Sequence, residues 1–278
     1  MRLFLVSSLV MVFFAANSLL NRLALAEEAI GAAEFAAIRL ASGALMLAGI
    51  IAVRDRHLRA LRRADPWGVA GLTLYMLGFS FAYLWLDAGL GALILFGGVQ
   101  ITMFAGALLR GETLAPRRIG GAAMALAGLA WLTSPAGAAP YPVGAALMAA
   151  AALGWGIYSL RGARAGDALA ATATNFLWAT PFAVLAMLAF AGTVATSLPG
   201  IGLAILSGAV TSGLGYALWY AVLPHLAASA AAVAQLTVPV IALAGGALLL
   251  GEPPSLPAML AAAVVLGGVG LALTSRLR

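Results

Sequence analysis

Few residues in this chain could do chemistry, and most of them sit inside apolar runs. Arg39 lies about seven residues into the run 32–53. An arginine at the centre of a membrane-spanning helix costs ~2.5–3.5 kcal/mol on insertion scales, so it needs a partner or a task. Its guanidinium can grip a carboxylate through two parallel N–H···O bonds, which makes Arg39 a candidate for binding a substrate carboxylate or anion. The structural alternative is pairing with an internal acid or reaching to the interface. Glu34 stands five positions earlier. That is about 140° round a helix at ~100° per residue, so the two do not make an i,i+4 pair. Glu34 is a candidate proton-coupling carboxylate near the outer interface. Asn17 and Asn21 share one helical face, and Gln100 and Gln235 fall mid-run. Amides both donate and accept, which suits a zwitterionic or neutral polar ligand. Asn17, Gln100 and Gln235 are the first candidates, with interhelical hydrogen bonding, worth ~0.6 kcal/mol on average, as the alternative.

Aromatic residues recur at helical spacing. Tyr75, Phe79 and Tyr83 are i,i+4 neighbours, Trp155 and Tyr158 are i,i+3, and Tyr216, Trp219 and Tyr220 form a third group. Such stripes serve either packing and interface belts or the wall of a cavity. Tyr83 and Tyr220 read as belt residues. Tyr75, Phe79, Trp155, Tyr158, Tyr216 and Trp219 are expected at a binding cavity. Gly213, Gly215 and Pro239 are expected as hinges, since glycine permits close approach or bending and proline interrupts the helical ladder.

These residues are embedded in a chain of 278 residues that is 64% hydrophobic and 9% charged, with a mean hydropathy of +1.06. Soluble domains are usually about 25% charged. The composition therefore excludes a water-soluble enzyme. Ten apolar runs of spanning length can be counted, at 3–22, 32–53, 67–87, 90–109, 117–134, 142–160, 171–191, 200–222, 228–250 and 256–275. No room is left for a soluble domain. The net charge of +6 does not indicate nucleic acid, because lysine is absent and 13 of the 15 arginines fall on one side of the expected membrane. That asymmetry predicts a multi-pass protein of a prokaryotic inner membrane with both termini cytoplasmic. Cysteine is absent and His57 and His225 are far apart, so neither a metal nor another cofactor is expected.

The chain also resembles itself. At an offset of 140 residues, Gly106-Ala107-Leu108-Leu109 falls on Gly246-Ala247-Leu248-Leu249, and Gly111-Glu112 falls on Gly251-Glu252. The two glutamates read as helix-end anchors. The halves 1–138 and 141–278 would each hold five spans. Five is odd, so the second half enters the membrane inverted. The expected fold is an all-α integral membrane protein: ten transmembrane helices as two inverted five-helix repeats around a central cavity. Such halves can exchange conformations, which moves the cavity from one face to the other.

This pattern resembles the drug/metabolite transporter superfamily, and within it the EamA-type exporters. The resemblance rests on 92–128 with Gly111-Glu112, on 228–273 with Pro239 and Gly251-Glu252, and on Gly154-Trp155-Gly156 at the start of the second half. The first half departs from the pattern, with Ala15-Ala16 in place of Trp-Gly and Val99 in place of the proline. The resemblance implies ATP-independent export or exchange of small metabolites, typically amino acids or similar zwitterions. The expected partners are the lipid bilayer and a small-molecule substrate. A chain carrying both repeats needs no second copy to build a cavity, which fits a monomer. A drug or cationic-compound exporter of the same fold is the alternative, weakened by the lack of a carboxylate in the first span. A lipid-modifying membrane enzyme would need convergent ionisable groups that this sequence lacks.

Overall fold

The computed structural model describes residues 1–56, 64–109, 111, 115–132, 141–162, 165–190, 192, 194–226 and 234–273. His57, Arg59, Arg62, Arg63, Arg110, Glu112, Arg164, Arg276 and Arg278 lie outside the described residues. Among the described residues the chain forms ten helices and no strand. They are α1 (Arg2–Ala26), α2 (Ala32–Asp55), α3 (Pro66–Ala82), α4 (Ala88–Leu109), α5 (Pro116–Leu132), α6 (Pro142–Gly162), α7 (Ala168–Ala189), α8 (Leu198–His225), α9 (Thr237–Leu249) and α10 (Leu256–Leu273). Six of them, α1, α2, α4, α6, α7 and α8, are long and apolar enough to cross a membrane. The remaining four are shorter, and α9 opens later than the expected span because 227–233 lie outside the described residues. The run 67–87 ends as a helix at Ala82, and residues 83–87 form the turn into α4.

Local signals set the helix ends. Pro66, Pro116 and Pro142 open α3, α5 and α6, where the missing N–H is no loss. The Asp167 side chain accepts from Ala170 N–H at the start of α7, and Ser197 accepts from Gly200 N–H at the start of α8. After α9 the chain turns through Gly251 at φ 66°, and Glu252 N–H reaches back to Gly246 O at 3.0 Å. Gly111 after α4 adopts φ 77°. Both glycines of the repeated Gly-Glu pair thus take the left-handed conformation that closes a helix and that glycine adopts freely.

The helices pack in pairs: α1 with α8, α2 with α7, α3 with α6, α4 with α9 and α5 with α10. With the hydrophobic effect weak between helices in lipid, association relies on close van der Waals approach over small residues. The α3–α6 contact shows this. A Cβ on Gly154 would stand 2.6 Å from Gly71 O, and one on Gly71 would stand 2.8 Å from Gly154 O. Apolar side chains face outward in number, among them Trp178, Phe182, Leu185 and Leu188 along one stripe of α7. A water-facing surface would not expose such a stripe; a bilayer solvates it.

Because Gly71 and Gly154 meet backbone to backbone, Gly154→Val is expected to lose ~1–3 kcal/mol through overpacking. The check is a lowered thermal unfolding midpoint in detergent. An unchanged midpoint would show that α3 and α6 can separate at no cost.

Candidate functional site

Arg39 projects from the first third of α2 and is completely buried. Among the described residues no carboxylate pairs with it. Its Nε donates to Ser212 Oγ at 3.2 Å and its Nη2 to the Tyr75 hydroxyl at 3.1 Å. Its Nη1 has no partner. The guanidinium carbon lies 4.9 Å from the Phe79 ring centre and 5.5 Å from that of Tyr75. Ring faces carry partial negative charge and attract the cation, but they do not satisfy its donors.

Ser212 belongs to an unusual segment. Between Leu206 and Leu214, α8 is wound as a π-helix. In ordinary α winding Ser212 would lie about 140° round from Ser207. The looser i→i+5 winding brings it back onto the face of Ser207 and Thr211. The three hydroxyls converge on one atom: Asn17 Oδ1 accepts from Ser207 at 2.9 Å, Thr211 at 2.7 Å and Ser212 at 3.1 Å. The Asn17 amide nitrogen donates to Phe13 O at 3.2 Å and Thr211 O at 3.4 Å. Tyr75, Arg39, Ser212 and Asn17 therefore form one buried hydrogen-bonded chain across α3, α2, α8 and α1. The close α2–α8 approach that allows it depends on Gly208, whose Cβ position would collide with Ser42 Oγ and the Arg39 carbonyl.

This chain borders a small central chamber lined by Phe14, Asn17, Tyr75, Phe79, Leu95, Phe96, Trp155 and Tyr216. The chamber measures about 10 Å³, room for roughly one water. Its wall is an aromatic box. Trp155 lies 4.8 Å from Tyr75 and 5.3 Å from Tyr216, centre to centre, and Phe14 meets the Tyr216 ring edge-on at 5.6 Å. A larger cavity of about 450 Å³ between α4, α5 and α6 is lined by Ile94, Ile101, Leu126, Leu129 and other apolar or small residues. It offers no side chain that could recognise a polar solute.

Ion pairs sit at both ends of the bundle. At one end Arg22 Nε donates to Glu252 Oε1 at 2.6 Å and Nη1 to Tyr83 O at 3.0 Å. Glu252 Oε2 accepts from Ala88 N–H at 2.9 Å, so it also caps the positive N-terminus of α4. Asp87 stands 3.6 Å from Arg22. Burial, then the neighbouring Glu252 charge, raise the Asp87 carboxyl above the usual aspartate range, against the pull of Arg22. At the other end Arg161 grips Asp65 with two bonds of 2.7 and 3.0 Å, and Arg54 bridges Asp55 and Asp167. The hydrogen bond from Arg161 holds the Asp65 carboxyl below its ordinary range, and that from Arg54 does the same for Asp167.

The EamA-like transporter family model matches residues 142–274, from α6 to the end of α10. A protein from Pseudomonas aeruginosa, described as uncharacterized protein PA1977, is 50% identical over 279 aligned positions, covering 99% of this chain and 96% of that one. The chain belongs to the EamA-like transporter family. That family is part of the drug/metabolite transporter superfamily, whose EamA members are transporters and not enzymes. A crystal structure of a protein 22% identical in sequence superposes with a TM-score of 0.69 over 99% of both chains and shares the fold.

Of the residues expected at an EamA cavity, Asn17, Tyr75, Phe79, Trp155 and Tyr216 line the chamber. Arg39 sits directly behind Tyr75 and Phe79. Tyr158 turns away, with its hydroxyl 2.6 Å from that of Thr172, and Trp219 packs 6.0 Å from the Phe14 ring. Buried Gln100 on α4 and half-buried Gln235 before α9 stand outside the chamber wall. Glu34 is buried in the first turn of α2, folded over Gly31, with Oε2 unpartnered. Gly213 and Gly215 flank the end of the π segment, and Pro239 is buried in the first turn of α9. One sequence reading changes. Tyr83 is not an interface residue but is fully buried against Phe79 at 4.8 Å, and its hydroxyl finds Ala88 O. Arg22 lies within α1, since the helix continues to Ala26. The hydroxyls of Ser207, Thr211 and Ser212 were not singled out from sequence. Their signal was three small polar residues within six positions of an apolar run.

Two predictions follow from the end clusters. The chain has no cysteine, so Leu95→Cys places a sole thiol in the chamber wall. In that background Glu252→Gln removes the charge that holds Arg22, and labelling by a membrane-impermeant maleimide from the Arg22 end is expected to rise severalfold. Unchanged labelling would show that this cluster does not close the chamber. At the opposite end, Asp65 and Asp167 stabilise the fold when ionised. That contribution is present above the unfolded aspartate value of ~3.9 and is lost as pH falls through the lowered folded value. The thermal midpoint should therefore drop between about pH 5 and about pH 3, and drop less in an Asp65→Asn, Asp167→Asn double variant.

Proposed function

We propose that this EamA-family chain is a secondary transporter that exports or exchanges small carboxylate-bearing metabolites, amino-acid-like compounds among them, by alternating access. The observation that carries the reading is Arg39: a buried cation beside the central chamber, with no acid partner among the described residues and one unpaired nitrogen. An uncompensated charge in a low-dielectric site is costly, and a substrate carboxylate would complete it. Asn17 and the aromatic box would position the rest of the solute.

Alternating access is supported by the ion-pair clusters at both ends and by the pairing of helices. If the halves 1–138 and 141–278 are inverted five-helix repeats, α2 corresponds to α7, α4 to α9 and α5 to α10. Each of these packs on its own counterpart, as helices beside a two-fold axis do. The matching left-handed turns at Gly111 and Gly251 support the same relation. On this reading the four shorter helices complete a ten-span bundle. Gly213, Gly215 and Pro239 serve as hinges, and Glu34, with an unpartnered buried oxygen, is the carboxylate available for proton coupling. Gln100 and Gln235 act in a more open state. The arginine distribution supports an inner-membrane protein with both termini in the cytoplasm, and one chain suffices for a cavity.

The test is uptake into proteoliposomes of a labelled amino-acid and organic-acid panel, with and without a pH gradient, for wild type, Arg39→Ala and Arg39→Lys. Wild type should transport at least one carboxylate. Arg39→Ala should abolish transport, while Arg39→Lys, which keeps the charge but loses the fork, should retain a fraction. Full transport by a folded Arg39→Ala variant would remove Arg39 from substrate recognition.

A further inference from the structure

This inference rests on the transporter reading and narrows its substrate. One cation, Arg39, lies directly behind the chamber's Tyr75 and Phe79, and among the described residues the chamber wall has no carboxylate. Asn17 Oδ1, the amide acceptor facing the chamber, already accepts three hydrogen bonds. The Tyr75 hydroxyl accepts from Arg39, and the Phe79 and Tyr75 ring faces are taken up by the same guanidinium. Glu34 belongs to the first turn of α2 and Glu252 is held by Arg22 and Ala88 N–H, so neither serves the chamber. A carboxylate that reaches past Tyr75 and Phe79 gains the unpaired Arg39 Nη1. An ammonium entering here finds no carboxylate among the described residues and is repelled by Arg39, which the ring faces of Phe14, Trp155 and Tyr216 offset only in part. Leaving a buried charge unpaired costs far more than leaving a neutral polar group unpaired.

We infer that the chamber selects aromatic or apolar monocarboxylate anions that carry no amino group, with the carboxylate on Arg39 and the ring among Phe14, Trp155 and Tyr216. A bound carboxylate would replace the Tyr75 hydroxyl and the Phe79 face at the guanidinium. The amino-acid expectation is thereby narrowed: the carboxylate end is retained and the ammonium end is a penalty.

Three solutes with one ring and different charge test this: phenylacetate, phenylalanine and phenethylamine. Binding of labelled phenylacetate to the purified full chain is measured by scintillation proximity, with the other two as competitors. Transport is measured in proteoliposomes against protein-free vesicles, which removes passive permeation. Phenylacetate is expected to bind at least ~10-fold more tightly than phenylalanine, a difference of about 1.4 kcal/mol. Phenethylamine should not compete. Arg39→Gln should abolish phenylacetate binding and Arg39→Lys should weaken it; the wild-type ranking is decisive even if both variants misfold. Equal or tighter binding of phenylalanine or phenethylamine overturns the inference and leaves the carrier reading standing. If none of the three binds, and an amino acid from the panel is transported, the inference alone fails. If no carboxylate of any kind binds or crosses, both fail.

Discussion

The rest of the structure is arranged around a cation that has been taken out of water without a counter-ion among the described residues. A buried guanidinium with only neutral partners is tolerable only where every contact is good. The fold supplies two neutral hydroxyls and two ring faces to Arg39 and leaves one nitrogen over. Three other helices are committed to that arrangement: α3 through Tyr75 and Phe79, α8 through Ser212, and α1 through Asn17. The glycine at 208 exists for the same purpose, since any side chain there would drive α8 off the backbone of α2. Packing and the placement of this guanidinium are thus one problem in this EamA protein, and a change at any of these positions reaches it.

Around this centre the electrostatics are divided by location. Full ion pairs occur at the two ends of the bundle, where water can share the cost of charge. The middle uses hydroxyls, amides and rings. The pairs of Arg54 and Arg161 are partly solvated and exchange for water at little cost, whereas Arg22–Glu252 is mostly buried. A middle held by paired charges would resist rearrangement far more strongly. The Gly-Glu turn after α9 shows how local chemistry serves it: a left-handed glycine turns the chain so that Glu252 meets both Arg22 and the start of α4.

Much of this was legible in the sequence, for physical reasons that can be named. Helix positions followed from apolar length, because lipid leaves the backbone no other option. Arg39 and Asn17 announced themselves by their cost in an apolar run. Tyr75, Phe79, Trp155 and Tyr216 were legible as stripes. Which stripe members reach the chamber was not: Tyr158 and Trp219 share the spacing yet turn to Thr172 and Phe14. Periodicity fixes a face within one helix but not what lies opposite. Gln100 and Gln235 were weighted by polarity alone, and polarity does not give depth. Tyr83 was mistaken for an interface residue because its buried acceptor, Ala88 O, comes from a turn that only the folded chain brings near. The π winding of α8 was invisible, since no residue type in 206–214 marks it and the Asn17 side chain it meets lies on another helix.

That winding has a consequence for what specifies the chamber. Everything in α8 after Leu214, including Tyr216, is set in phase by the looser turn that precedes it. Winding of 206–214 as an ordinary α-helix with every residue kept would return Ser212 to about 140° from Ser207 and turn the following stretch with it. Tyr216 would swing off the chamber wall although no wall residue had been substituted. The aromatic box is therefore encoded partly by winding: the turn taken between Ser207 and Tyr216 matters as much as the identity of the residues.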